Sequence, residues 1–379
     1  MAMFIVKPWY RKKDDAIYGA EWAGGSDPSW VRTDAAVGFS APNPYYAGMS
    51  TTPSSPFDNI MPWSGMCRVT DASAGELVEI PKFYYKWTRD GIKMKLQISM
   101  SAFDGSHVSP AHADRGDGVG ERDYVYVGRY HCASDYKSKT GVTPKGNATI
   151  STFRTGVQNL RSDIWLYDYS TLWTVLMLYL VEYAHWNIGL KIGMGGIENS
   201  SHNLINTGQT DGMPYHTGTM YSSRDAQGAK VQYRYIENLW ANGYQFIDGI
   251  YTQNRSVYVN NNPSNYASTG LGTLIANNIP ALDWRYVTTS FTASPNTSGL
   301  EYAIFTNSVS MEVYKYYTCA RYWNEDSAGK MVMLTGGQYE VTASERSNSL
   351  YHILFEGESV TLARWIARSI VLPSSRLSA

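Results

Sequence analysis

The stretch from 233 to 251, YRYIENLWANGYQFIDGIY, limits the fold of this chain more than any other segment. It is dense in aromatic rings, yet Arg234, Glu237, Asn238, Asn242 and Asp248 recur among them. A plain core segment does not mix so many hydrogen-bonding groups with so many rings. Each buried polar group left unpaired costs about 1–3 kcal/mol. The pattern therefore predicts a self-satisfying polar network inside an apolar core. It marks a fold signature rather than a catalytic centre.

Such a core needs apolar material, and hydrophobic residues make up 43% of the 379 residues. At roughly 100–200 residues per domain, the length corresponds to two or three domains. Charged residues reach only 17%, against about 25% in globular proteins generally. Tyr, Asn, Ser, Thr and Gly take their place, with 30 Tyr and 12 Trp. Tyr, Ser, Gly and Asn suit adaptable binding surfaces, because rings give contact area at low entropic cost. A loop-rich β protein that uses many tyrosines has the same composition. The net charge of −1 comes with no basic stripe, which argues against a nucleic-acid partner.

MAMFIVKPWYRKKDD lacks the apolar region and small-residue cleavage site of a signal peptide. Cys67, Cys132 and Cys319 are isolated and form no CxxC pair. That argues against a disulfide scaffold and fits synthesis in a reducing cytoplasm. The longest apolar run, LWTVLMLYLVEYAHW at 172–186, contains Glu182. It is shorter than the roughly 20 residues a membrane span needs. A buried helix without membrane insertion is expected.

Along the chain, residues 1–20 read as a charged N-terminal arm and 21–120 as a β-rich N-terminal domain. VEIPKFYYKW (78–87) predicts one strand, Asp90–Gly91 a hairpin turn, and IKMKLQIS (92–99) a half-buried strand. DYVYVGRY (123–130) predicts another strand. Helices are expected at 150–160, capped by Ser151 or Thr152, and at 171–187, capped by Ser170 or Thr171. Asn187 and Gly189 would end the second. Strands and loops follow to the C-terminus, so 121–379 forms a second unit and the fold class is α+β.

The order of these motifs resembles the C-type-lectin-like fold, in its branch of phage proteins and formylglycine-generating-enzyme-like proteins. Glu237, Asn238, Trp240, Asn242 and Asp248 look like the core motif of that fold. LTGGQY (334–339), LYHILFE (350–356) and ARWIARSIVL (363–372) are similar to its closing strands and loops, with Arg368 as the core-closing arginine. WAGGSDPSWVRTDAA (22–36), SPFDNIMPW (55–63) and VEIPKFYYKW resemble segments of phage tail-tip or fibre proteins. The resemblance implies a phage-tail receptor-binding or adhesion protein in the virion tail, with other tail proteins and a host-surface receptor, glycan or protein, as partners. It also implies a homo-oligomer such as a trimer, and leaves open diversification by a retroelement. By position, the ligand face would comprise Gln338, Tyr339, Glu340, Thr342, Ser344, Tyr351, His352 and Arg364. Glu182, Arg234, Glu237, Asn238, Trp240, Asn242, Asp248 and Arg368 would form the core. A structural tail or baseplate component and a glycan-degrading tail enzyme are the alternatives.

No GxSxG elbow or HExxH motif supports hydrolysis. The formylglycine-generating relatives use paired cysteines, which the C-terminal region lacks. Hence no enzymatic activity and no cofactor is expected. Glu182 reads as a buried structural acid with Arg234 or Arg368 as partner. His107, His112, Asp114 and Asp117 have loose metal-like spacing, but Pro110 and the glycines equally describe a plain loop. Arg115, Gly116 and Asp117 spell RGD by chance. WNED resembles the calcium element of sugar-binding lectins, with Asn324, Glu325 and Asp326 as donors. Calcium needs six to eight oxygens, and this motif supplies only two or three. The glycines of GMGG (193–196) point to close backbone packing rather than a dinucleotide loop.

Overall fold

Alternating side chains build the first sheet. In Lys93–Ser99, Met94, Leu96 and Ile98 point into the core, while Lys93, Lys95 and Gln97 are left more open. This strand pairs antiparallel with Tyr84–Asp90, and Asp90 opposes Lys93 across a turn in which Gly91 has φ +59°. Tyr18–Trp22, Val31–Asp34 and His107–Val108 complete five strands. The structure, a computed structural model, describes residues 15–25, 27–196, 203–226, 228–267, 270–277, 279, 286–287, 300, 302, 309–310, 322–324, 329–336, 353–360 and 365–377.

The strand expected over 78–87 is two strands. Gly75–Pro81 belongs to a second sheet and Tyr84–Asp90 to the first. Pro81 is the break, since it has no N–H to continue a ladder. The second sheet runs Ile164–Leu166, Ser369–Val371, Tyr124–Gly128, Gly75–Pro81, Cys67–Asp71, all antiparallel. It takes strands from both sides of the boundary expected at 120/121. One apolar cluster also runs from Tyr18 to Leu372. The two regions thus share a sheet and a core.

Helix α1 (Ile150–Gln158) is capped by Thr149, whose side chain accepts from the Thr152 N–H. Helix α2 (Tyr169–Tyr183) is capped by Asp168 and ends at Ala184, which is left-handed at φ 49°. Helix α3 (Ile188–Ile192) begins at Asn187, which therefore starts a helix rather than ending α2. Each cap lies two or more residues before the position expected from sequence. Every residue of α2 is buried. Among the described residues no helix is long and apolar enough to cross a membrane.

The largest sheet is built on Tyr244–Gln253. Ser256–Val259 and then Thr273–Ala276 lie on one side of it. Met331–Thr335, Ile353–Gly357 and Tyr322–Asn324 lie on the other, and Trp365–Ile366 runs parallel to Tyr244–Gln245. A smaller sheet joins Tyr45–Tyr46, Gly218–Thr219, Val231–Tyr233 and Ile236–Glu237. The whole is a mixed, mostly β structure with few helices and several separate sheets.

Gly195 shows why GMGG is glycine-rich. Its φ is +65°, and an added Cβ would lie 2.6 Å from the Trp240 indole. That indole is itself fixed by donating Nε1–H to Gly193 O at 3.1 Å. Gly195→Ala should lose about 2 kcal/mol or more, combining left-handed strain with the clash. Chemical denaturation would check this, and a loss below about 0.5 kcal/mol would contradict the packing described.

Candidate functional site

The polar-aromatic stretch begins with a tight turn. Tyr233 opposes Ile236, and the two residues between them, Arg234 and Tyr235, have φ 41° and 70°. Two-residue hairpins of this kind favour Asn or Gly, because both central residues need positive φ. Non-glycine residues held there cost on the order of 1–3 kcal/mol each. Side-chain bonds hold Arg234 in place. Its Nε and Nη2 donate to the two Glu182 carboxylate oxygens at 2.8 and 2.7 Å, and Nη1 donates to Trp63 O at 3.0 Å. Glu182 also accepts from Ser55 Oγ at 2.7 Å and Tyr233 Oη at 2.9 Å. Of the two partners expected for Glu182, Arg234 is the one it has.

A second acid extends this group toward the surface. Asp58 lies 3.6 Å from Arg234 and accepts from Tyr215 Oη at 2.7 Å and His216 Nε2 at 2.8 Å. Burial alone would raise the Asp58 carboxyl. Hydrogen bonds from His216, Tyr215 and the Ser55 backbone overcome it and hold the pKa at about 2. His216 Nδ1 meets Thr217 Oγ1 at 2.7 Å, and that oxygen accepts from the Arg234 N–H. Because Nε2–H donates to the ionised Asp58, Nδ1 of the neutral ring accepts and Thr217 Oγ–H donates to it. Both ring nitrogens of His216 are thus engaged.

The remaining polar residues of the stretch also look outward for partners. The Glu237 carboxylate accepts from the Gly208 and Thr210 N–H groups and from Thr210 Oγ1, at 2.7–2.9 Å. The Asn242 side chain exchanges two 2.8 Å bonds with the Ile205 backbone. Asn238 has φ 52°, a conformation Asn tolerates, and its side-chain amide makes no hydrogen bond among the described residues. The expectation of a self-satisfying segment is thus corrected: its partners are supplied by distant elements.

Arg368 is fully buried and donates to the carbonyls of Gly128, Arg129, Glu237 and Asn238, to Gln245 Oε1 and to His131 Nε2. No carboxylate is among these acceptors, and burial lowers its pKa to about 10.

Asp248 sits on an irregularity of Tyr244–Gln253, where the pairing with Met331–Thr335 shifts between Ile247 and Tyr251. A bulge re-aims side chains. Here Asp248 accepts both Arg154 Nε and Nη2 at 2.8 Å and Tyr251 Oη at 2.7 Å. Arg154 also holds Glu358 at 2.9 Å. The matching pair, Arg115 with Asp168 at 2.7 Å and both buried, was not foreseen from residue pattern. Asp168 caps α2 with one oxygen and with the other accepts from Arg115 and Tyr266 Oη. The RGD arginine is therefore an internal strut.

The eight expected core residues, Glu182, Arg234, Glu237, Asn238, Trp240, Asn242, Asp248 and Arg368, are all buried. The eight expected ligand contacts, Gln338, Tyr339, Glu340, Thr342, Ser344, Tyr351, His352 and Arg364, lie outside the described residues. So do Glu325 and Asp326, while Asn324 ends a strand. The strands leading to the expected contacts are described. Gln245 pairs with both Thr335 and Ile366, and Leu334 with Leu354. Gly336, Ile353 and Trp365 therefore lie at the same end of one sheet.

No protein-family model matches the chain, and no curated protein matches it.

Among the described residues no group of three or more His, Cys, Asp or Glu side chains could hold a metal ion. In the loop 107–117, Asp114 accepts from the Gly116 N–H and Asp117 pairs with Arg122. His112 is buried, with Nδ1 against Ser109 Oγ at 2.7 Å and Nε2 against Ile80 O at 2.9 Å. That use of both nitrogens overturns the metal-like reading for His112.

Two predictions follow from these geometries. Glu182→Gln should cost about 3–5 kcal/mol, because it strands a buried guanidinium; an unchanged unfolding midpoint would refute it. Burial lowers the His112 pKa from 6.5 to about 4. Between these values the unfolded chain binds more protons, so this stability is complete above pH 6.5 and is lost as pH falls toward 4. His112→Gln should lose about 2–3 kcal/mol less than the wild type between pH 7 and 4.5, measured by denaturation at both pH values.

Proposed function

We propose that this chain is a phage-tail receptor-binding or adhesion protein that recognises a host-surface ligand through a C-type-lectin-like region and does no chemistry on it. The observation that carries the proposal is the common end of Gly336, Ile353 and Trp365 on one sheet. Two sequence segments, 337–352 and 361–364, adjoin those residues, and they hold all eight candidate contacts. A single face assembled from both would present Tyr339, Tyr351 and Arg364 beside smaller polar groups. Rings suit such a face because they give contact area with few rotors to freeze, and a guanidinium adds several hydrogen-bond donors.

The frame beneath also supports the proposal. Arg154 and Asp248 fix the bulge of the central strand, and Arg154 holds Glu358 in the turn between Ile353–Gly357 and Trp365–Ile366. Arg368 ties the last strand to the carbonyls of Gly128 and Arg129. A rigid support lowers the ordering cost of binding. Weak single sites on a homo-oligomer gain avidity through effective concentration.

Replacing Tyr339, Tyr351 and Arg364 with Ala tests the proposal. Particles should assemble normally while host adsorption falls about tenfold or more, the effect of ~1.4 kcal/mol lost per site. Failed assembly with adsorption per particle unchanged would instead mark a structural tail component. Shortened products after incubation with host glycan would mark an enzyme.

A further inference from the structure

Three half-buried cations come together on another part of the molecule without a carboxylate to pair with among the described residues. Arg32 is on Val31–Asp34, Lys191 is in the last turn of α3, and Arg224 is in the loop before Val231–Tyr233. Backbone bonds bring the three elements side by side. The Trp30 N–H donates to Ala184 O and the Trp186 N–H to Pro28 O, joining the Arg32 strand to the link between α2 and α3. The Met194 N–H donates to Arg224 O, joining the third element just after α3. Both arginines then reach the same segment, Arg32 Nη1 to Phe39 O and Arg224 Nη2 to Asn43 Oδ1, each at 3.4 Å. Burial and then the charges of Arg224 and Arg32 lower the Lys191 pKa, so the ammonium lies in the field of both.

Nothing described neutralises these charges. Glu182 acts on Arg32, but its carboxylate is occupied by Arg234, Tyr233 and Ser55, and Arg32 bonds only its backbone carbonyl. None of the three cations forms an ion pair with a carboxylate among the described residues, and Lys191 has no hydrogen-bond partner there. The two 3.4 Å bonds are longer than normal, so those donors are weakly used. Arg32 Nε is buried without a hydrogen-bond partner among the described residues. The Tyr46 ring lies 5.5 Å from the Arg224 guanidinium, in range to orient it. Like charges gathered at such a cost, with donors to spare, match the chemistry of an oxyanion.

We propose that Arg32, Lys191 and Arg224 bind an anionic group, a phosphate or sulfate, carried on a surface glycan. The oxyanion chemistry stands independently of the ligand face; the glycan as carrier rests on the receptor-binding reading.

The test uses the full chain and the double variant Lys191→Gln/Arg224→Gln, which should melt at the wild-type temperature in chloride. Replacing chloride with inorganic phosphate at constant ionic strength should raise the wild-type midpoint and leave the double variant behind. Phosphate stabilises proteins in general, so the difference between the two chains is the readout. Equal shifts in both chains would overturn the site. Dextran sulfate should retain the wild type about tenfold more than the double variant, with no retention on neutral dextran. A phosphate shift confined to the wild type, without retention on dextran sulfate, would overturn the glycan carrier and keep the anion site. Adsorption of Tyr339, Tyr351 and Arg364 variants reads the ligand face separately.

Discussion

A guanidinium and a carboxylate removed from water together are the condition on which this fold rests. Three such pairs surround α2. Asp168 at its start holds Arg115, Glu182 in its last turn holds Arg234, and Asp248, bridged to Asp168, holds Arg154. Compared with a well-packed apolar alternative, buried pairs of this kind add little net stability. Losing one partner is what costs heavily, and that asymmetry gives them their structural role. Each pair penalises any arrangement in which its two elements sit elsewhere. The left-handed turn at Arg234 and Tyr235 and the bulge at Asp248 persist because the neighbouring charge demands them.

The same condition explains what the sequence revealed. The apolar run at 172–186 could only be buried, and α2 is buried along its whole length. The Asp90–Gly91 hairpin and the alternating strand after it were legible for local reasons, as turn chemistry and pleat act over a few residues. The polar network was legible only as a debt. Arg234 and Asp248 announced that partners must exist, but those partners lie 52 and 94 residues away, and Arg115, read as part of a plain loop, pairs 53 residues on. No spacing rule reaches that far.

Other misses had smaller causes. The sequence DYST offers several caps, and Asp168 takes the role because it also answers Arg115. Ala184 ends α2 in a conformation that its residue type does not advertise. Pro81 sits inside an apolar run and divides two sheets that periodicity joined. The core half of the candidate site was visible as residue types. Its geometry was not, because turn strain and bulges appear only when distant chain segments meet.

The position of Ser369–Val371 has a consequence in time. This strand lies between Ile164–Leu166 and Tyr124–Gly128, with Ile370 opposite Val127. The second sheet therefore keeps an open seam while the long stretch of chain between Tyr124–Gly128 and Ser369–Val371 is being made. Until then, Tyr124–Gly128 exposes one edge of unpaired backbone groups, the kind of edge that recruits foreign strands. Contacts this remote in sequence also form slowly. A nascent chain of this design is an incomplete, association-prone intermediate during that interval, so its yield should depend on what shields that edge before Ser369–Val371 arrives.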